Sequence, residues 1–277
     1  MAPQSSTLFD SNWIKQASKI PHDSWASDAA GKLNGTGGIY LNTLRLWFDR
    51  FPFRSGKQRK ALKSHLESFK NADHLGGVNE LCWWEFQTSF GWDVEPIFTQ
   101  KQRTPDFQVK SPELFFCEVT TLNVSDKDKT ALNQGGGVPL DHSKTIGRIL
   151  KKITADKHEQ LAYGASIKAP SVLILFDYTT WSGFATQFCR EIAKYIFGQT
   201  AGFRSLPVEL SVLVYVERKV IDGRIVLSKI RSGVFHNPNA TYRLSENVFC
   251  MLRQHWRTLT ETPPAQLLTG NNAWFWL

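Results

Sequence analysis

Thr104-Pro105-Asp106-Phe107-Gln108-Val109-Lys110-Ser111-Pro112-Glu113-Leu114-Phe115-Phe116-Cys117-Glu118-Val119-Thr120-Thr121-Leu122 is the stretch on which the reading of this chain turns. Phe107 to Val109 and Leu114 to Val119 are short β-prone runs, and Ser111-Pro112 between them supplies a turn whose φ the proline ring presets. The pattern predicts a β-hairpin centred near Pro112 that sets Asp106 opposite Glu118. Directly opposed residues lie roughly 5 Å apart at Cβ, so two carboxylates there repel unless a cation or a proton sits between them. Mg²⁺ suits such a place, because it takes hard oxygen ligands and is commonly held by one or two carboxylates plus water and substrate phosphate. The plainer alternative is a surface turn with two solvated acids, and the flanking sequence decides between them.

Upstream, a helix is expected to start near Asp73 or Gly77. It runs through Val78-Asn79-Glu80-Leu81-Cys82-Trp83-Trp84-Glu85-Phe86 to Phe90 and closes at Gly91, a residue suited to a left-handed C-terminal cap. Trp92 to Phe98 follows as a strand. Helix with an internal glutamate, strand, Pro-Asp strand and Glu-x-Thr strand resembles the core order of the PD-(D/E)XK, or restriction-endonuclease-like, nuclease superfamily. The likeness spans roughly residues 75 to 180, with Thr120 where that pattern usually has lysine.

The resemblance implies an α/β fold, with a central mixed β-sheet flanked by helices and an N-terminal helical segment before it. It also implies a Mg²⁺- or Mn²⁺-dependent nuclease that hydrolyses phosphodiester bonds of DNA, with roles in bacterial defence or mobile-element biology. Asp106, Glu118 and the backbone carbonyl of Val119 would hold the metal. Glu80, about three helical turns before Gly91, matches the helix acid of the pattern and would complete the set. Glu85 is its rival, since it shares a face with Val78, Leu81 and Cys82 and is costly to bury without a partner. Either glutamate also reads as an ordinary exposed helical residue.

Downstream, Asn123 to His142 carries Asp126, Lys127, Asp128, Lys129 and three successive glycines without the Gly-Lys-Ser/Thr of a phosphate loop, and reads as a substrate flap or plain loop. Ile146, Ile149, Leu150, Ile153 and Leu161 then recur at helical spacing from Ser143 to Tyr163, with Ser143 as N-cap. This helix bears on the missing lysine. A long side chain from a neighbouring helix can balance charge developing at a phosphate, and the superfamily includes members whose lysine has migrated in this way. Lys157 and then Lys152 are the candidates, with Gln160 beside Lys157 to orient phosphate or water, while solvation of the helix is the bland role for both lysines.

The remaining sequence frames this core. Tyr40 to Phe51 and Lys57 to Phe69 read as two helices, the second with a basic face of Lys57, Arg59, Lys60, Lys63 and Lys70 that suits either phosphate or water. Residues 1 to 38 read as tail and linker with Trp13 and Trp25 as packing anchors. Ser171 to Tyr178 and Leu210 to Val216 are nearly continuous apolar runs of the sort buried in a sheet covered on both faces. Helix Phe184 to Phe197 lies between them. Val220 to Leu227 around Asp222-Gly223 reads as a hairpin extending the sheet edge, Val234 to Ala240 as a turn, and Trp274-Phe275-Trp276-Leu277 as an aromatic tail for packing on the body or a second subunit. The expected division is 1–72, an N-terminal lobe; 73–232, the nuclease-like core; and 233–277, a C-terminal extension.

Composition agrees with a globular protein. The 277 residues are 42% hydrophobic and carry a net charge of +8, which fits a phosphate-rich partner. Cys82, Cys117, Cys189 and Cys250 lack metal or redox spacing and read as reduced core residues. No charged-then-apolar leader opens the chain, and no apolar run approaches the roughly 20 residues that span a bilayer, so a cytoplasmic location is expected. Seven scattered histidines, no Gly-x-Ser-x-Gly and no Gly-x-Gly-x-x-Gly argue against zinc, serine-hydrolase and dinucleotide chemistry. The alternative from another class is a nucleic-acid-binding or scaffold protein with this fold but a lost active site, which Thr120 favours and the trio Glu80, Asp106 and Glu118 opposes.

Overall fold

A computed structural model of the chain describes residues 7–20, 24–98, 103–123, 142–178, 206–216, 218–227, 232–237 and 239–254. Five helices precede the sheet: α1 (Ser11–Ala17), α2 (Trp25–Gly31), α3 (Thr36–Arg50), α4 (Gly56–Leu66) and α5 (Asn71–Thr88). Strands β1 (Asp93–Pro96), β2 (Phe107–Ser111) and β3 (Phe115–Leu122) form a meander. Next come α6 (His142–Lys151), a π-turn at Lys152–Asp156, α7 (His158–Ser166), β4 (Ser171–Asp177) and β5 (Leu210–Val216). The hairpin β6 (Arg218–Ile221) and β7 (Arg224–Leu227), strand β8 (Gly233–His236) and α8 (Glu246–Gln254) follow.

The fold is α/β, with a mixed six-stranded sheet in the order β1-β2-β3-β4-β5-β8. β3, β4 and β5 run parallel, β2 is antiparallel to β1 and β3, and β8 is antiparallel to β5. Alternation along the strands divides the interior in two. Val172, Ile174 and Phe176 of β4 join Val212, Val214 and Val216 of β5 on one side, against Leu41, Phe48, Leu66, Val78 and Leu81 of the early helices. The intervening residues Leu173, Leu175, Leu213 and Tyr215 pack on the other side with Ile149, Ile153 and Leu161. Apolar runs without polar alternation are thus buried on both faces, as expected of central parallel strands. Among the described residues no helix is long and apolar enough to cross a membrane.

The structure corrects the sequence reading in four places. Residues 11–17 and 25–31 are helical, not linker: Asp10 and Ser24 cap these helices by accepting from Trp13 N and Ser27 N. The small residues there serve close packing, since a Cβ on Gly37 would meet the Ala29 carbonyl oxygen at 2.0 Å. Trp13 is buried and donates its indole N–H to Glu67 O at 2.8 Å, whereas Trp25 is 40% exposed. The predicted helix from Ser143 opens at His142 and is interrupted by the π-turn, in which Lys157 N donates to Lys152 O, five residues back, at 3.0 Å. The β6-β7 hairpin forms its own two-stranded sheet and does not extend the large one. That edge is β8, in a segment whose His-Asn-Pro-Asn turn signal conceals the strand-forming Val234-Phe235. The expected flap within 124–141, the helix at 184–197 and the aromatic tail lie outside the described residues.

Candidate functional site

The β2-β3 ladder pairs Phe107 with Cys117, Gln108 with Phe116 and Val109 with Phe115. One step beyond Phe107 and Cys117, Asp106 faces Glu118, which is the register the hairpin reading requires. At that step the strands exchange a side-chain contact: Val119 N donates to Asp106 Oδ2 at 2.7 Å. Ile97 N donates to the Asp106 carbonyl at 2.8 Å, so the residue is fixed from the β1 side as well.

Glu118 is buried, with 3% of its surface exposed. Strand alternation sends it to the same face as Thr120 and Leu122, toward α6 and α7. There the Lys157 ammonium donates to Glu118 Oε1 at 2.5 Å. The π-turn explains the reach, because it ends at Asp156 and delivers Lys157 at the junction with α7, over β3. Lys152 is directed elsewhere and pairs with Asp156 at 3.0 Å. Gln160 lies one helical turn beyond Lys157, and its Oε1 is buried without a hydrogen-bond partner among the described residues.

Glu80 comes from α5 on the other side of the hairpin. Desolvation, followed by repulsion from Asp106 and Glu118, pushes its pKa up to about 8, so three carboxyl groups share one field. Glu118 is raised to about 8 by burial and by Asp106, against the pull of Lys157. Asp106 is also raised, with burial outweighing the Val119 N–H and Lys157. Burial would lower the Lys157 pKa, yet Glu118 and Asp106 outweigh it and hold the ammonium charged. Glu85, the rival acid, is drawn away and accepts from Arg50 at 2.8 Å on each oxygen.

The donor set suits a hard dication. Asp106 and Glu118 each commit one oxygen to an N–H donor, and Glu118 Oε2 is buried with no hydrogen-bond partner among the described residues. An added cation would meet that orphan oxygen and offset the desolvation that raises all three pKa values, together with the repulsion that adds to it at Glu80 and Glu118. Among the described residues, no three His, Cys, Asp or Glu side chains are already drawn into a ligand cluster.

Sequence reading missed a second polar group beside this site. Arg218 Nε donates to Asn79 Oδ1 at 3.0 Å and to Tyr178 OH at 2.6 Å, and Tyr178 OH donates to Asn79 Oδ1 at 2.8 Å. Asn79 Nδ2 donates to Thr121 Oγ1 at 2.9 Å, linking α5 to β3 next to Glu80. The available signal was a charged residue sharing strand parity with Val220 in the β6 run. The basic face of α4 is partly spent within the fold: Arg59 pairs with Asp49 at 3.4 Å and lies over Phe48, and Lys63 pairs with Glu67 at 3.3 Å. Cys82 and Cys117 are buried free thiols, in line with their reading as core residues.

No protein-family model, curated protein or solved structure matches this chain.

Proposed function

We propose that the chain is a metal-dependent nuclease of the PD-(D/E)XK type that hydrolyses phosphodiester bonds of DNA. The observation that supports this best is the Lys157 ammonium, which reaches Glu118 from the junction of the π-turn and α7 although Thr120 occupies the strand position, beside Asp106 and within the electrostatic range of Glu80. Mg²⁺ or Mn²⁺ held by Asp106, Glu118 and Glu80, with the Val119 carbonyl, would activate water and neutralise charge on the scissile phosphate. Lys157 would stabilise the negative charge that develops there, and Gln160 would orient the phosphate or the attacking water.

The test is cleavage of plasmid, linear duplex, single-stranded DNA and RNA in Mg²⁺ or Mn²⁺, comparing the natural protein with Asp106→Asn and Glu118→Gln. Loss of cleavage in both variants and on chelation is expected. Thr120 supports a second reading, a nucleic-acid-binding protein without catalysis. Equal DNA binding by all three proteins with no cleavage would establish that reading instead.

A further inference from the structure

Arg218 is 4% exposed, and both of its terminal guanidinium nitrogens are buried without a hydrogen-bond partner among the described residues. Among the described residues its neighbours are neutral. Asn79 and Tyr178 occupy Nε, and the guanidinium carbon lies 5.5 Å from the Tyr178 ring centroid and 6.0 Å from that of Trp25. The groups that interact with its charge most strongly are the hydroxyls of Tyr178 and Tyr40 and the thiol of Cys82. Tyr40 is pushed up to about 12 by burial, so its hydroxyl offers no negative charge at neutral pH.

A guanidinium does not deprotonate in proteins. Buried without a counter-charge it is strongly unfavourable, and a buried water would satisfy N–H groups without neutralising the cation. The planar fork of unused N–H donors matches the paired oxygens of an oxyanion. Trp25 is 40% exposed and Tyr178 half-buried, while Tyr40, Asn79 and Cys82 are closed off, so Trp25 and Tyr178 are the surrounding groups that solvent reaches.

We infer that Arg218 is the base of a phosphate-binding site, formed with Asn79 and Tyr178 under Trp25 and distinct from the carboxylate group. Its ligand is a phosphate, either free or carried on a nucleic-acid strand. Because Asn79 immediately precedes Glu80 on α5 and bonds Thr121 of β3, a strand phosphate seated at Arg218 would lie beside the acids without touching them. The site itself needs no catalysis.

The experiment follows the side-chain Nε–H resonance of Arg218 in ¹⁵N-arginine-labelled full-length protein, assigned by its disappearance in Arg218→Met and, should that variant not fold, in Arg218→Lys. Inorganic phosphate is titrated against chloride at matched ionic strength, in the presence of a chelator. A parallel arm uses a short DNA oligonucleotide with phosphorothioate linkages. A saturable shift of the Arg218 resonance with phosphate, absent with chloride, is expected. A shift with the oligonucleotide at much lower concentration than with free phosphate assigns the strand as source, and a shift with phosphate alone assigns the free anion. An Arg218 resonance unmoved by both, even if other arginine signals move, overturns the site. Cleavage plays no part in the readout, so failure here and failure of the nuclease reading are separate results.

Discussion

The Lys157 ammonium and Glu118 Oε1 meet at 2.5 Å across 39 residues of sequence, one from the end of a π-turn and the other from the middle of a buried strand. The pair places a cation where the strand itself offers Thr120. Lys157→Met should therefore reduce cleavage by about 10²-fold or more, the scale of removing one group that stabilises transition-state charge, with partial activity in Lys157→Arg. Lys152→Met, whose parent side chain pairs with Asp156, should stay within about twofold of the natural rate by the same measure. Single-turnover rates on the preferred substrate check all three.

The raised carboxyl pKa values carry a definite sign. Glu80 and Glu118 ordinarily titrate near 4.5 and sit at about 8 in the folded chain. Between these limits the folded state binds more protons than the unfolded state, so the metal-free protein loses stability as pH rises from about 4.5 to about 8. Melting temperatures measured in a chelator should fall across this window, and the fall should be shallower in Glu80→Gln. An unchanged slope in that variant would remove Glu80 from the shared field.

Mg²⁺ or Mn²⁺ should reverse that trend. A ligand that binds only the folded state at a hundredfold excess over its dissociation constant adds about 2.7 kcal/mol. Thermal denaturation should show a metal-dependent rise that grows with pH, as protons leave the acids. Asp106→Asn and Glu118→Gln should each abolish most of it, whether or not any substrate has been found.

Glu85→Gln separates the two glutamates of α5. Its side chain is 17% exposed and pairs with the 58% exposed Arg50, so its loss should cost no more than about 1 kcal/mol and leave cleavage within about twofold. Glu80→Gln should abolish cleavage. Chemical denaturation and cleavage rates on the two variants decide the matter.

Packing of α7 on the sheet offers a stability test. A Cβ on Gly164 would meet Ser171 Oγ at 2.3 Å and the Ala169 carbonyl oxygen at 2.9 Å, and Ser171 is already committed to Leu161 O at 2.7 Å. Gly164→Ala should destabilise the fold by about 1–3 kcal/mol, read from the denaturation midpoint.

Where one local rule dominated, sequence predicted structure well. The Phe107 and Leu114 runs about Pro112 placed Asp106 against Glu118, and the unbroken apolar runs at Val172 and Val212 declared strands covered on both sides. Glu80 could be set above Glu85 only by its distance from Gly91, and the Arg50 pair that removes Glu85 is a contact across 35 residues, invisible to local pattern. The α2 segment was hidden because Ala, Ser and Gly serve close helix packing as readily as loops. Arg218 was missed for a related reason: its burial depends on Asn79, Tyr178 and Trp25, which come from three distant parts of the chain.

The π-turn at Lys152–Asp156 gives the lysine an unusual dependence on chain length. Each residue of a helix advances the side chains by about 100°, and a π-turn holds one residue more than the α-helical path needs. Deleting a single residue between Lys152 and Asp156 would let the helix close in regular α form, and Lys157 would swing away from Glu118 with no change in any side chain named above. The cation at this site thus depends on a single codon, and a chain without that codon would keep its three acids and lack the counter-charge to Glu118 and Asp106.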